Sequence, residues 1–224
     1  MNPQRAVRRK IFSGALLFLG AYCAGSGRID LWPGWGYAGF FLVTISSACL
    51  IAVRVAPDLL VERVSWGTDV KRWDRPIVLV LMFGPVLTGL AAGLDARHNG
   101  LHAVGYKVMA GYALAILGAA LNQAAMAANR FYASTVRIQK ERGHKVVDSG
   151  PYRLVRHPGN MGNVMMNAAA PWMLASDWAW IPAGVCLVLT IVRTMLEDRA
   201  LRQELPGYAS FAEATRYRLI PGVW

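Results

Sequence analysis

Residues 150–162 read GPYRLVRHPGNMG, and they combine an arginine–histidine pair, Arg156 and His157, with three glycines and two prolines. Pro158 restricts His157 to an extended conformation, and glycines let the backbone approach a ligand closely. A helix is expected to begin near Met161 with its N-terminus directed at this loop. A helix N-terminus beside His and Arg favours an anionic group. The segment therefore has the composition of an anion-binding loop.

A second group of charged residues lies at the end of the last apolar run, where Arg193, Glu197 and Asp198 follow each other closely. Arg193 and Glu197 are four residues apart and share a helix face. The two carboxylates could hold a cationic group, so both clusters together would suit a zwitterion such as the amino-acid end of a ligand. Alternatively, the loop binds only lipid head groups, and Arg193 and Glu197 pair only with each other.

These polar clusters are embedded in a hydrophobic chain. Of the 224 residues, 55% are hydrophobic and 17% are charged, whereas soluble domains usually have about 25% charged residues. The apolar runs cover residues 11–25, 35–56, 76–94, 104–128, 161–175 and 178–194. A membrane span needs about 20 apolar residues, so the second, third and fourth runs are long enough, the first and fifth are short, and the sixth is marginal. The sequence predicts an all-α, polytopic membrane bundle of about five to six transmembrane helices, with a C-terminal helical hairpin.

The positive charges indicate how such a bundle is oriented. The net charge is +11. With six spans and a cytoplasmic N-terminus, the outer loops contain only Arg28, Arg97 and Lys107 among the 24 Lys and Arg. Cytoplasmic loops of membrane proteins have this excess of Lys and Arg. We therefore expect an integral protein of the inner (cytoplasmic) membrane of a bacterium, with both termini in the cytoplasm and no nucleic-acid partner.

Other residues with possible metal or redox chemistry give weak signals. His98 and His102 are four apart, but Gly100 separates them and no third ligand is near, so no metal site is expected. The cysteines are three in number and lie far apart in apolar runs. This pattern is typical of core or lipid-facing residues and not of disulfides. The cysteines are Cys23, Cys49 and Cys186.

The segments between the spans also carry predictions. A short interfacial helix is predicted in the loop after the second run, with an apolar face formed by Leu59, Leu60, Val64 and Trp66. The helix from residue 104 is expected to continue through Arg130, because its inner end is polar but unbroken. Residues 130–160 are too polar to span a membrane. A short helix is predicted at residues 208–214, after Pro206 and Gly207.

Two sequence stretches together resemble the isoprenylcysteine carboxyl methyltransferase family of membrane enzymes. The first is GHKVVDSGPYRLVRHPGNMG, and the second, after a hydrophobic hairpin, is RTMLEDRALRQELPGYASFAEATRYRLIPGVW. Phospholipid N-methyltransferases and thiol methyltransferases of the same superfamily look similar. The resemblance covers about residues 122–224, and the N-terminal spans contain no such signal.

This resemblance implies a helical membrane enzyme that uses S-adenosylmethionine, bound in a cytoplasmic pocket between the polar segment and the last two helices. It implies that Arg193 and Glu197 are catalytic, with Arg193 orienting the acceptor. The implied cofactor-binding residues are His144, Lys145, Val146, Val147, Gly150, Tyr152, His157, Pro158, Asn160, Gly162, Glu197 and Asp198. The family usually has tyrosine where this chain has Asn160, so either the cofactor contacts or the acceptor pocket should differ.

The expected function is transfer of a methyl group from S-adenosylmethionine to a lipophilic acceptor, such as an isoprenylcysteine carboxylate, another lipid or a thiol. One alternative is a membrane reductase of the sterol reductase type that uses NADPH. Another is a non-enzymatic lipid-binding membrane protein. We expect residues 1–128 to supply the N-terminal spans and residues 129–224 the cofactor-binding segment, hairpin and tail, within one integrated domain. The acceptor's identity and the oligomeric state are left open.

Overall fold

The computed structural model describes residues 3–55, 69–101 and 105–224, with side chains from residue 13 onward. Throughout these ranges the regular structure is helical, as the apolar runs predicted. The α-helices are α1 (Pro3–Ser26), α2 (Trp32–Val55), α3 (Asp74–Asn99), α4 (Tyr106–Ala128), α5 (Pro158–Met173), α6 (Trp180–Glu204) and α7 (Tyr208–Ala214). Short 3₁₀ turns occupy Lys140–Arg142 and Gly150–Arg153. The predicted interfacial helix around Leu59 lies outside the described residues.

Four of these helices are long and apolar enough to cross a membrane, namely α2, α3, α4 and α6. The protein is therefore an integral membrane protein. The sixth apolar run, marginal by itself, qualifies because α6 continues past residue 194 to Glu204. In α1 the side chains are described from residue 13 onward, and this part, Ser13–Ser26, is apolar. The total of five to six spans stays a prediction.

Small residues set the closest helix contacts. Between α4 and α5, a Cβ atom placed on Gly118 would lie 2.7 Å from the carbonyl oxygen of Gly162. Between α1 and α3, a Cβ atom on Gly25 would lie 2.7 Å from the carbonyl oxygen of Leu90. Close approach at small residues is the usual way in which membrane helices pack, because lipid supplies little hydrophobic driving force.

The α5–α6 hairpin is held at its turn by a buried carboxylate from α3. Asp95 accepts hydrogen bonds from the Ser176 hydroxyl at 2.7 Å and from the backbone N–H of Asp177 at 2.8 Å. The carboxylate is fully buried, and buried carboxylates need such partners. This contact fixes the end of the hairpin and so sets where the opposite end, with Pro158 and Glu197, lies.

Several element boundaries differ from the sequence expectation. Helix α4 ends at Ala128 instead of continuing through Arg130, because Asn129 adopts an extended conformation and its side-chain oxygen accepts from the N–H of Phe131 at 2.8 Å. Helix α5 begins at Pro158, three residues before the expected start, since proline is well suited to the first helical turn. The helix predicted at residues 208–214 is confirmed by α7.

Candidate functional site

One large cavity of about 630 Å³ lies between the polar segment and the helices. Its apolar wall comes from α2 and α3, and its polar wall comes from the segment after α4 together with the inner ends of α5 and α6. The apolar wall includes Phe40, Phe41, Ile45, Ala48, Val78, Leu81, Met82 and Pro85. The volume falls in the range of pockets that bind cofactors and drug-sized ligands.

Asp198 lies beside this cavity as the centre of a buried polar network. Its side chain is 1% exposed. Arg156 donates from Nε to Oδ1 at 2.7 Å, and the Tyr208 hydroxyl donates to the same oxygen at 3.0 Å. Arg202 and Arg218 donate to Oδ2 at 3.3 and 3.0 Å. The protein's own donors surround both oxygens of this carboxylate. Asp198 therefore stabilises the site from beside the cavity and does not line it.

The network ties the C-terminal tail to the arginine–histidine pair of the motif. The backbone N–H groups of Arg156 and His157 donate to the carbonyl oxygens of Tyr217 and Arg218 at 2.9 and 3.0 Å. Arg156 also donates from Nη1 to the carbonyl oxygen of Thr215 at 2.7 Å. The arginine that the sequence suggested for anion binding is 4% exposed and is satisfied by these protein groups.

Glu197 is the carboxylate that faces the cavity, and its side chain is 24% exposed. Asn160 donates from Nδ2 to its Oε2 at 2.9 Å. The ring of His157 lies between the two acidic residues, with Nε2 at 3.3 Å from Oδ1 of Asp198 and Nδ1 at 3.7 Å from Oε2 of Glu197. Among the described residues no donor contacts Oε1 of Glu197, so that oxygen can accept from a ligand.

Arg193 also lines the cavity, but its partner is not Glu197. It donates from Nε to Oδ1 of Asp74 at 2.7 Å and from Nη2 to the carbonyl oxygen of Ser134 at 3.1 Å. Asp74 is fully buried and also accepts from the N–H of Val136 at 2.6 Å. Nη1 of Arg193 has no acceptor within the described part of the chain, which leaves two N–H groups for a ligand.

The segment after α4 forms a wall around His144. The ring of His144 packs on Phe131 with centroids 4.7 Å apart, and its Nδ1 accepts from the N–H of Gln139 at 3.3 Å. Burial, and next the positive charges of Arg142 and Arg137, lower the pKa of His144 to about 4. The imidazole is therefore neutral at physiological pH, and it lines the cavity as an uncharged ring.

Asn122 is the centre of a hydrogen-bonded cluster next to Gly159 of the motif. The sequence did not single out its side chains as site residues. The Asn122 side chain donates to the Tyr132 hydroxyl, to the carbonyl oxygen of Gly159 and to Oδ1 of Asn163, all at 2.9–3.0 Å. A side chain on Gly159 would collide with the Tyr132 hydroxyl. The sequence signal for such a residue is that Asn122 is a polar side chain near the inner end of an apolar helix.

The structure places the implied site residues in two groups. Those that line the cavity are His144, Lys145, Val146, Val147, Tyr152, His157, Asn160, Arg193 and Glu197. Those that do not line it are Gly150, Pro158, Gly162 and Asp198. Gly150 has φ +58°, a conformation that glycine favours. The hypothesis that Arg193 and Glu197 pair only with each other is wrong, because each binds a different side chain.

Residues 110–203 match the Isoprenylcysteine carboxyl methyltransferase (ICMT) family. This confirms the resemblance recognised from the motifs. The matched segment contains α4 from its second turn, the polar wall, the α5–α6 hairpin, Arg193 and Glu197, but not Asp74. The match to this methyltransferase family, with the apolar helices, supports methyltransferase activity in a membrane. No curated protein matches the chain.

The cavity lining contains groups of the kinds that S-adenosylmethionine would need. Glu197 offers a free carboxylate oxygen for an ammonium group, and the rings of Phe131, Tyr132 and Tyr152 are apolar surfaces for an adenine. The cavity is also large enough to extend beyond a cofactor towards α2 and α3.

Proposed function

We propose that the protein transfers a methyl group from S-adenosylmethionine to a lipophilic acceptor that enters from the membrane. One observation carries the proposal: a single cavity joins the polar wall around Glu197 to the apolar wall of α2 and α3. A water-soluble cofactor and a membrane-soluble acceptor could therefore meet within it. The two parts of the chain, residues 1–128 and 129–224, act as one domain in this proposal, since each supplies one wall.

The acceptor reaches the site between α2 and α3 in this proposal. Helix α2 packs on α1, α4 and α5, whereas α3 packs on α1, α5 and α6. Met82 of α3 lines the cavity and is also 55% exposed, which supports an opening of the cavity at this helix. The cofactor enters from the opposite, polar side in this proposal, and the distribution of positive charges supports a cytoplasmic location for that side.

The chain's own groups orient the reactants. Glu197, held by Asn160, accepts from the ammonium group of the cofactor, and His157 and the backbone of Val146 and Val147 complete its pocket. Nη1 of Arg193 donates to the acceptor and orients the acceptor's lone pair towards the methyl carbon. When bound, S-adenosylmethionine would supply the methyl group from its sulfonium, and the departing sulfur would keep the electron pair of the S–CH₃ bond. Positioning and exclusion of water supply the rate enhancement.

Titration of purified protein with S-adenosylmethionine, S-adenosylhomocysteine and NADPH by calorimetry tests the cofactor. We expect both sulfur compounds to bind and NADPH not to bind. Binding of NADPH alone would instead support the reductase, and binding of none would support a lipid-binding protein. Uptake of a radioactive methyl group into a lipid extract then identifies the acceptor.

A further inference from the structure

Three asparagines follow one face of α5, at Asn160, Asn163 and Asn167, which are related as i, i+3 and i+7. All three line the cavity. We call them the asparagine row. Since a helix rises about 1.5 Å per residue, the row extends about 10 Å from the Glu197 end of the cavity into the bundle. Asparagine is a poor helix former, and polar side chains inside a membrane-protein bundle usually face a partner or a cavity, so the row requires an explanation.

Protein contacts explain only part of the row. Asn160 binds Glu197, and Oδ1 of Asn163 accepts from Asn122 at 2.9 Å. Asn167 donates from Nδ2 to the carbonyl oxygen of Asn163 at 2.9 Å. This leaves Nδ2 of Asn163 and Oδ1 of Asn167 without a partner within the described ranges. Both atoms have some accessible surface, since the fully enclosed unpaired side-chain atoms in these ranges are the hydroxyls of Tyr22 and Tyr112.

Threonine hydroxyls extend the polar surface across the cavity. Thr44 of α2 and Thr190 of α6 line the same space and belong to helices long and apolar enough to cross a membrane. Thr190 donates to the carbonyl oxygen of Cys186 at 2.7 Å, which leaves its oxygen able to accept. Beside this polar strip, the wall from α2 and α3 is apolar. The cavity thus has a hydrogen-bonding side and a hydrocarbon side along the same length.

A purely hydrocarbon tail would leave the open amide atoms of the asparagine row facing methylene groups, which is unfavourable for a polar group removed from water. We propose that the asparagine row binds amide, ester or hydroxyl groups of the acceptor, about 10 Å from the atom that is methylated. The acceptor is then a lipid with hydrogen-bonding groups within its chain, beside an apolar part that contacts α2 and α3. This inference rests on the proposed function for the position of the methylated atom.

Two synthetic probes of equal length test the inference. Both are N-acetyl-S-alkylcysteines; one has an all-methylene chain, and the other has an amide in the chain about 10 Å from the carboxylate. Their affinities are measured by calorimetry in detergent with S-adenosylhomocysteine present. We expect the amide probe to bind at least tenfold more tightly to the unaltered protein. The variant Asn167→Leu should bind the two probes with about equal affinity, and its affinity for S-adenosylhomocysteine should be unchanged.

A matched control is Gln123→Leu. Gln123 is another amide at membrane depth, bound to Ser47 at 2.8 Å, but it does not line the cavity, so the preference should persist. Asn167→Ala serves if the leucine variant fails to fold. Equal affinity for the two probes, binding of neither, or a preference unchanged in both Asn167 variants would overturn the inference. Failure to bind S-adenosylhomocysteine, with the probe preference retained, would overturn the proposed cofactor and leave this binding surface intact.

Discussion

Arg193 and Asp74 form a buried ion pair across the α3–α6 interface, with Nε of the arginine 2.7 Å from Oδ1 of the aspartate. Asp74 lies outside the segment that matches the family, yet it determines where a cavity-lining guanidinium points. The same carboxylate accepts from the N–H of Val136. The N-terminal half of the chain therefore positions a group of the site through one side chain.

Replacing Asp74 tests this positioning. Asp74→Leu should destabilise the protein by about 3–5 kcal/mol, because a buried guanidinium loses its partner, and should reduce methyl transfer at least 100-fold. The double variant Asp74→Leu/Arg193→Leu should recover much of the thermal stability but none of the activity. Thermal unfolding in detergent and initial rates measure the two effects. Recovery of activity in the double variant would contradict a role for Arg193 in the reaction.

Variants of the cofactor pocket should weaken product binding. We expect His157→Ala and Glu197→Ala each to reduce the affinity for S-adenosylhomocysteine at least tenfold, which corresponds to about 1.4 kcal/mol. Calorimetry provides the measurement. Glu204→Gln is the control, since Glu204 pairs with Lys71 on the surface, and surface pairs contribute little. If both pocket variants bind normally, these residues do not hold the cofactor.

Asn160 should act through Glu197. Asn160→Leu removes the donor to Oε2 of Glu197 and should weaken binding of S-adenosylhomocysteine about threefold to tenfold, because this bond orients Glu197 and only part of its contribution of about 1.5–3 kcal/mol affects the ligand. The double variant Asn160→Leu/Glu197→Ala should bind no more weakly than Glu197→Ala alone. Affinity losses that add in the double variant would show that Asn160 contacts the ligand independently.

The low pKa of His144 predicts a pH dependence of stability. The unfolded chain binds a proton near pH 6.5, whereas the folded protein does so only near pH 4. The free energy of unfolding should therefore decrease as the pH falls from about 6.5 to 4, by about 1–3 kcal/mol, and level off below. His144→Phe should remove this contribution. Denaturation curves of both proteins across this pH range give the difference between their free energies of unfolding. A difference that does not change with pH would contradict the low pKa of His144.

The contact between α4 and α5 should tolerate no side chain at Gly162. Gly162→Ala places a methyl group against the backbone of Gly118 and Asn122, and overpacking of this kind costs about 1–3 kcal/mol. Gly184→Ala in α6 is the matched control, because a Cβ atom there meets no neighbour. Thermal unfolding should show a lower midpoint for the first variant alone. Equal midpoints would mean that the two helices can separate at little cost.

The local sequence determined the helices and the kind of chemistry. Long apolar runs and Gly207 before Tyr208–Ala214 are local signals, so the elements could be predicted to within a few residues, with α5 beginning at Pro158 instead of near Met161. The exception at α4 arises because Asn129 binds the backbone beyond the helix, and periodicity does not report such a contact. The resemblance to the methyltransferase family placed Glu197 and His157 in one site, and the hairpin between them returns the chain to the same side.

Only the tertiary structure determined the partners of these residues. Periodicity places Arg193 and Glu197 on a shared face but carries no information on a carboxylate 119 positions away, so Asp74 was missed. Likewise, Asp198 and Glu197 are adjacent in sequence and chemically alike. The helix turns one into a cluster of arginines and the other towards the cavity. The packing of distant segments determines the burial and the hydrogen-bond partners of each side chain. These surroundings give two chemically similar carboxylates different roles.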